Sequence, residues 1–67
     1  MTIDARGCSC PEPVLKTKKG LDLSPEGIEV LVDNNTAGEN VTRFAKSRGY
    51  QVSVEELDGD FVLKLSK

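Results

Sequence analysis

The sequence predicts an α+β fold: a two-layer sandwich of order βαβαββ, with two helices packed on one face of a mixed four-stranded sheet. Three observations carry this reading. Ile28, Val30 and Val32 alternate with Glu29, Leu31 and Asp33, as in a strand with one apolar face and a partly apolar second one. Ala37, Val41, Phe44 and Ala45 recur at the spacing of an amphipathic helix. From Tyr50 to Leu65, apolar alternation on both sides of Asp58-Gly59 marks a β-hairpin with a two-residue type I′ turn.

The remaining elements follow in chain order. Thr2 to Arg6 is a short first strand ending before Gly7, which turns the chain toward Cys8-Ser9-Cys10-Pro11-Glu12-Pro13. Proline suits the first turn of a helix, where its missing N–H costs nothing, so Pro11 and Pro13 open a helix through Val14, Leu15 and Lys18. Val14, Leu15 and Leu21 form its buried face. Lys18 interrupts the stripe and lays its methylenes along the core. Gly20 is read as a cap near the end of this helix, with apolar packing carried on through Leu23 to the turn Ser24-Pro25-Glu26-Gly27. The second helix starts with a capping box, Thr36 with Glu39, and stops at Gly49. The hairpin turn pairs Val54 with Leu63 and Val52 with Leu65, so apolar faces meet. The sheet face away from the helices carries Glu29, Ser53, Glu55 and Lys64, with Leu31 and Val62 among them.

At 67 residues the chain is read as one domain, 1–67, near the lower limit at which a hydrophobic core alone holds a fold together. Two cysteines two positions apart cannot staple it, because a bridge between them closes almost no loop. The N-terminus has no basic segment followed by an apolar run, and no apolar stretch approaches the roughly 20 residues needed to span a bilayer. The expectation is a soluble cytoplasmic protein with reduced thiols and no membrane partner. Nine basic against eleven acidic residues give no global field for nucleic acid. Phe44, Tyr50 and Phe61 read as core or edge packing, without the aromatic and basic interleaving that single strands call for. Lys16, Lys18, Lys19, Arg43, Lys46 and Arg48 fall in the two helical segments, a solvated basic face open to an acidic partner.

If the chain has chemistry, it is at the cysteines. Cys10 is placed at or next to the N-cap of the first helix, where free N–H groups and the positive end of the helix dipole favour a thiolate. Cysteines in such settings have pKa values from about 3.5 to 7.5, against about 8.5 for a free one. With no histidine in the chain, activation falls to the helix terminus and to cations such as Arg6 or Lys16. The bland alternative for Cys10 is a small buried hydrophobe. One cysteine pair without histidine falls short of the four ligands of structural zinc, unless a second copy supplied the rest, so no metal is expected.

Asp4, Arg6, Gly7, Cys10, Pro11 and Pro13 match the Asp-x-Arg-Gly-Leu-x-Cys-Pro-x-Pro signature of the TusA/SirA-like family of small sulfur carriers, which the chain resembles over nearly its whole length. The second helix, from Asn34-Asn35-Thr36 through Arg43-Phe44-Ala45 to Gly49-Tyr50, looks most like the N-terminal domain of YedF-type proteins, associated with selenium metabolism. The resemblance implies the same βαβαββ fold. It also implies a catalytic cysteine, Cys10, that holds sulfur as a covalent persulfide without another cofactor, between a desulfurase-type donor protein and an acceptor protein. Asp4, Arg6, Gly7, Pro11 and Pro13 support it: the first two as an ion pair or loop hydrogen bonds that set the shape before the helix, with Arg6 also available to the thiolate, and the prolines by shaping the helix start. Two departures stand out. Cys8 occupies the signature's leucine position, as a packing residue or as a second thiol that resolves the persulfide by disulfide exchange. YedF-type proteins continue into a second domain, so either this chain works alone or another polypeptide supplies that half.

Two other classes of function compete. A thiol redox switch or regulatory binding module would exchange Cys8 and Cys10 between dithiol and a strained, easily reduced disulfide. A non-catalytic interaction domain would use the open sheet face, indifferent to both thiols.

Overall fold

The computed structural model describes residues 1–7 and 12–67. Its elements run β1 (Thr2–Asp4), α1 (Glu12–Leu23), β2 (Gly27–Val32), α2 (Asn35–Ser47), β3 (Gln51–Leu57) and β4 (Asp60–Ser66). The sheet has strand order β1-β2-β4-β3, with β1 parallel to β2 and the other pairs antiparallel. This is the βαβαββ arrangement that the alternation and the helical stripe call for. Both helices therefore run opposite to β1 and β2, and both begin at the same end of the sheet.

The hairpin follows the expected register, Val52 with Leu65 and Val54 with Leu63. Asp58 and Gly59 take φ values of 50° and 86°, the positive pair that a type I′ turn requires. The core lies between sheet and helices. Val30, Val32, Leu63 and Leu65 from the two central strands meet Val41, Ala45 and Ala37 of α2, with Ala5 and Leu21 closing one side. Phe44 and Phe61 pack against this cluster, and Tyr50 is buried within it, its hydroxyl donating to the Pro25 carbonyl at 2.6 Å. The outer sheet face carries Glu29, Ser53, Glu55 and Lys64 with half-buried Leu31 and Val62, and a Lys64–Glu55 ion pair at 3.6 Å crosses it.

Several details differ from the sequence reading, beginning with β1, which ends at Asp4 rather than Arg6. The N-cap of α2 is Asn34, not Thr36: the Asn34 side chain accepts from the Ala37 N–H at 2.7 Å. Asparagine is among the strongest N-caps, and its short side chain reaches the third N–H directly. Helix α2 thus starts before Thr36, whose box with Glu39 does not form. The C-terminal end is as expected, with Gly49 N–H donating to Lys46 O and Tyr50 N–H to Ala45 O, both at 3.0 Å, the paired bonds of a Schellman ending.

The buried face of α1 is made by Pro13, Thr17, Gly20 and Leu21, while Leu15, Lys18 and Leu23 are exposed and Val14 and Lys16 are half-buried. Thr17 can face the core because its hydroxyl donates to the Pro13 carbonyl at 2.8 Å, leaving no unmet polar group. Gly20 is not a cap. It lies inside the helix, where a Cβ would meet the side chains of Ile3 and Ile28 at 2.9 Å, so its lack of one lets α1 sit close on the sheet. Finally, β2 begins at Gly27 rather than Ile28, with Gly27 opposite Ser66.

Candidate functional site

The register of the three strands nearest α1 sets up the site. Asp4 is opposite Leu31 and Val32 is opposite Phe61, so the chain just past β1, just past β2 and at the first residue of β4 arrives in one row. Arg6, Asp33 and Asp60 occupy that row, at the end of the sheet where both helices start. Arg6 grips Asp4 with two bonds, Nε to Oδ1 and Nη2 to Oδ2, each at 3.0 Å, and its backbone N–H donates to Asp4 Oδ1 at 3.1 Å. Its remaining arm reaches across the sheet, Nη1 to Asp60 Oδ2 at 3.2 Å. The Gly7 N–H donates to Asp33 Oδ2 at 2.8 Å, and Lys16 Nζ to the Asp4 backbone oxygen at 3.4 Å. The segment before the cysteines is thereby tied to β1, β2, β4 and α1.

This bonding shifts two ionisations. Hydrogen bonds from the Arg6 side chain, then from its backbone, hold the Asp4 carboxyl down at about 2, from an ordinary 3.8. The Arg6 guanidinium is pushed up in turn, chiefly by Asp4 and then by Asp60. A carboxyl lowered in the folded state stabilises the fold above its unfolded value, and that contribution fades as pH falls from about 4 through about 2. Carbon-detected NMR titration should place the Asp4 midpoint near 2 in the wild type. In Arg6→Gln it should return toward the ordinary carboxylate range, and an unmoved midpoint would refute the assigned cause.

Of the residues singled out in the sequence, Asp4, Arg6 and Gly7 meet at this row, and Asp4 with Arg6 makes both an ion pair and a loop hydrogen bond, the two alternatives given for their supporting role. Pro13 is buried in the first turn of α1, where its carbonyl receives Thr17. Cys8, Cys10 and Pro11, with the expected thiol cap, lie outside the described residues. Sequence reasoning missed Asp33 and Asp60. Their signal was available: the hairpin register places Asp60 at the start of β4, and a parallel β1–β2 pair brings the residue after β2 beside the residue after β1. Among the described residues, no three acidic, histidine or cysteine groups are set to hold a metal ion.

Comparison with known proteins assigns the chain. The family model described as Sulfurtransferase TusA matches residues 1–67. A Methanocaldococcus jannaschii protein named "Putative sulfur carrier protein MJ0990" is 44% identical over 68 residues, covering 97% of this chain and 91% of that protein. The Bacillus subtilis "Putative sulfur carrier protein YrkI" is 31% identical over 62 residues, covering 90% and 83%. The crystal structure of a SirA-like protein from Desulfitobacterium hafniense superposes with a TM-score of 0.87 at 39% identity, covering 97% of this chain and 93% of that one. With its fold matched and the family model spanning residues 1–67, this chain belongs to the TusA sulfurtransferase family.

Proposed function

We propose that the chain is a sulfur carrier that holds sulfur as a persulfide on Cys10, taking it from a desulfurase-type donor protein and passing it to an acceptor protein. The observation that carries this reading is the family match across residues 1–67, in a chain whose Cys10 stands in the signature just ahead of α1. The names of the relatives, sulfur carriers from archaea and a bacillus, support the same role. The anchored row adds a physical reason: bonds from Arg6, Gly7 and Lys16 fix the segment that leads to Cys10 at the end of the sheet where α1 begins.

The transfer is redox-neutral and uses no cofactor. The Cys10 thiolate attacks the outer sulfur of the donor's persulfide, forming a Cys10 persulfide as the donor's S–S bond breaks and its cysteine leaves as thiolate. An acceptor thiolate then attacks the outer sulfur of the Cys10 persulfide and returns Cys10 as the leaving thiolate. Selenium, transferred by the same displacement, is a second cargo within this reading. Such chemistry needs a compartment that keeps thiols reduced, as the cytoplasm does.

Intact-protein mass spectrometry after incubation with a cysteine desulfurase and cysteine tests it. The wild type and Cys8→Ser should each gain about 32 mass units, reversed by a reductant, and Cys10→Ser should gain nothing. Loading that survives Cys10→Ser would overturn the assignment. A loss of two hydrogens on mild oxidation, in a protein that no donor loads, would instead favour a dithiol switch between Cys8 and Cys10.

A further inference from the structure

Strand β3 is an edge: among the described residues it pairs with β4 alone, so its outer row of backbone groups has no strand partner. Edges of this kind invite a further strand unless something blocks them. On the helix-facing side of β3, Val54 is 55% exposed, and Leu57 on the opposite side is 53% exposed. Above Val54 and Phe61 runs an open groove of about 460 Å³, walled on one side by a single stripe of α2 that includes Gly38, Glu39, Arg43 and Lys46. The groove has one helical wall only.

We propose that this face takes a second copy of the chain, β3 pairing antiparallel with the partner copy's β3 across a twofold axis at Val54, to give a continuous eight-stranded sheet. Three features fit that occupant. Val54 is the middle residue of β3 (Gln51–Leu57), so a twofold there sets Val54 against its own copy, Val52 against Glu56 and Ser53 against Glu55, with no two carboxylates opposed. Helix α2 packs on both β3 and β4 and walls the groove on its inner side. With the paired β3 strands about 4.8 Å apart, the two α2 helices flank the twofold on the same face of the joined sheet. The partner helix would be the missing wall.

Charge supplies the third. A twofold runs the two α2 helices antiparallel, so the Glu39 end of each meets the Arg43 and Lys46 end of the other. An isologous interface requires this kind of self-complementarity. The residues flanking the cysteine segment, Gly7 and Glu12, belong to the β1 and α1 side of the sheet, so pairing through β3 leaves that side uncovered.

Sedimentation equilibrium with reductant present, from about 1 µM to about 1 mM, tests the interface. The wild type should show a monomer–dimer equilibrium. Val54→Lys, at a position already exposed to solvent, should weaken dimerisation by about tenfold or more without changing the circular dichroism of the monomer. Glu39→Lys should also weaken it, and the triple exchange Glu39→Lys, Arg43→Glu, Lys46→Glu should recover most of the loss. With concentration, the β3 amides not bonded to β4 should gain protection from hydrogen exchange. A monomer throughout the range, or a dimer indifferent to Val54→Lys and to the charge exchange, would overturn the proposal.

Discussion

Replacing Leu63 by alanine should lower the unfolding free energy by about 2–5 kcal/mol, the cost of deleting a buried leucine and leaving its cavity. Leu63 is fully buried on β4, a central strand, with Val30 opposite it on one side and Val54 on the other. No neighbour can collapse into the gap without disturbing two ladders. A domain of this length has a total stability on the order of 3–10 kcal/mol, so the variant stands close to unfolding. Urea denaturation followed by circular dichroism reads the effect as a fall in midpoint at unchanged slope. At concentrations where the chain is monomeric, Val54→Ala is the internal control: it removes a valine from the same ladder, but one largely in solvent, and should cost less than about 1 kcal/mol. Equal losses from the two substitutions would mean that the core is not where the structure puts it.

Gly27→Ala should be nearly as damaging, for a different reason. Gly27 opens β2 with φ at 148°, a backbone conformation that side-chain-bearing residues rarely adopt, and that alone costs about 1–3 kcal/mol. A Cβ there would also run into the Leu65 carbonyl oxygen and crowd the Ser66 backbone, atoms of the opposing strand that cannot rotate aside. The expected result is a drop in Tm together with selective loss of hydrogen-exchange protection at the Gly27–Ser66 end of the β2–β4 ladder. An alanine variant with wild-type Tm would show that this crossing of β2 and β4 is looser than described. Gly20→Ala is the comparison. Its Cβ would crowd side-chain atoms of Ile3 and Ile28 rather than backbone, and its φ is not positive, so its penalty should be smaller.

How far the sequence could be read depended on how strongly each segment's pattern excluded its alternatives. The β3–β4 register was legible because strand alternation and the Asp58-Gly59 turn agree, and a slip of one residue would expose both apolar faces. Helix α2 was legible in its stripe but not in its cap. Asn34, Asn35 and Thr36 are all competent N-caps, and only the end of β2 decides which one stands at the boundary. Helix α1 was misread because the buried stripe runs through Pro13, Thr17, Gly20 and Leu21, which leaves Val14 at its margin and Leu15 in solvent. The winners were Thr17 and Gly20, residues that carry no apolar signal: one hides its hydroxyl in an internal bond and the other makes room for Ile3 and Ile28. The site was legible in part. Asp4 and Arg6 announce themselves by proximity in the chain, whereas Asp33 and Asp60 acquire meaning only once three strands are laid side by side.

The bond from Arg6 to Asp60 joins residues 54 positions apart in a chain of 67, and the bond from Gly7 to Asp33 spans 26. Contacts with such separations form late, after loop closure has brought the strands together, and they lower the folding rate of a small domain. The anchoring of the segment that leads to the cysteines is therefore a property of the completed sheet. Neither the first helix with its signature nor the chain cut before β4 could reproduce it. A newly made chain completes the anchored row, with its Arg6–Asp60 bond, only once its last strand has docked.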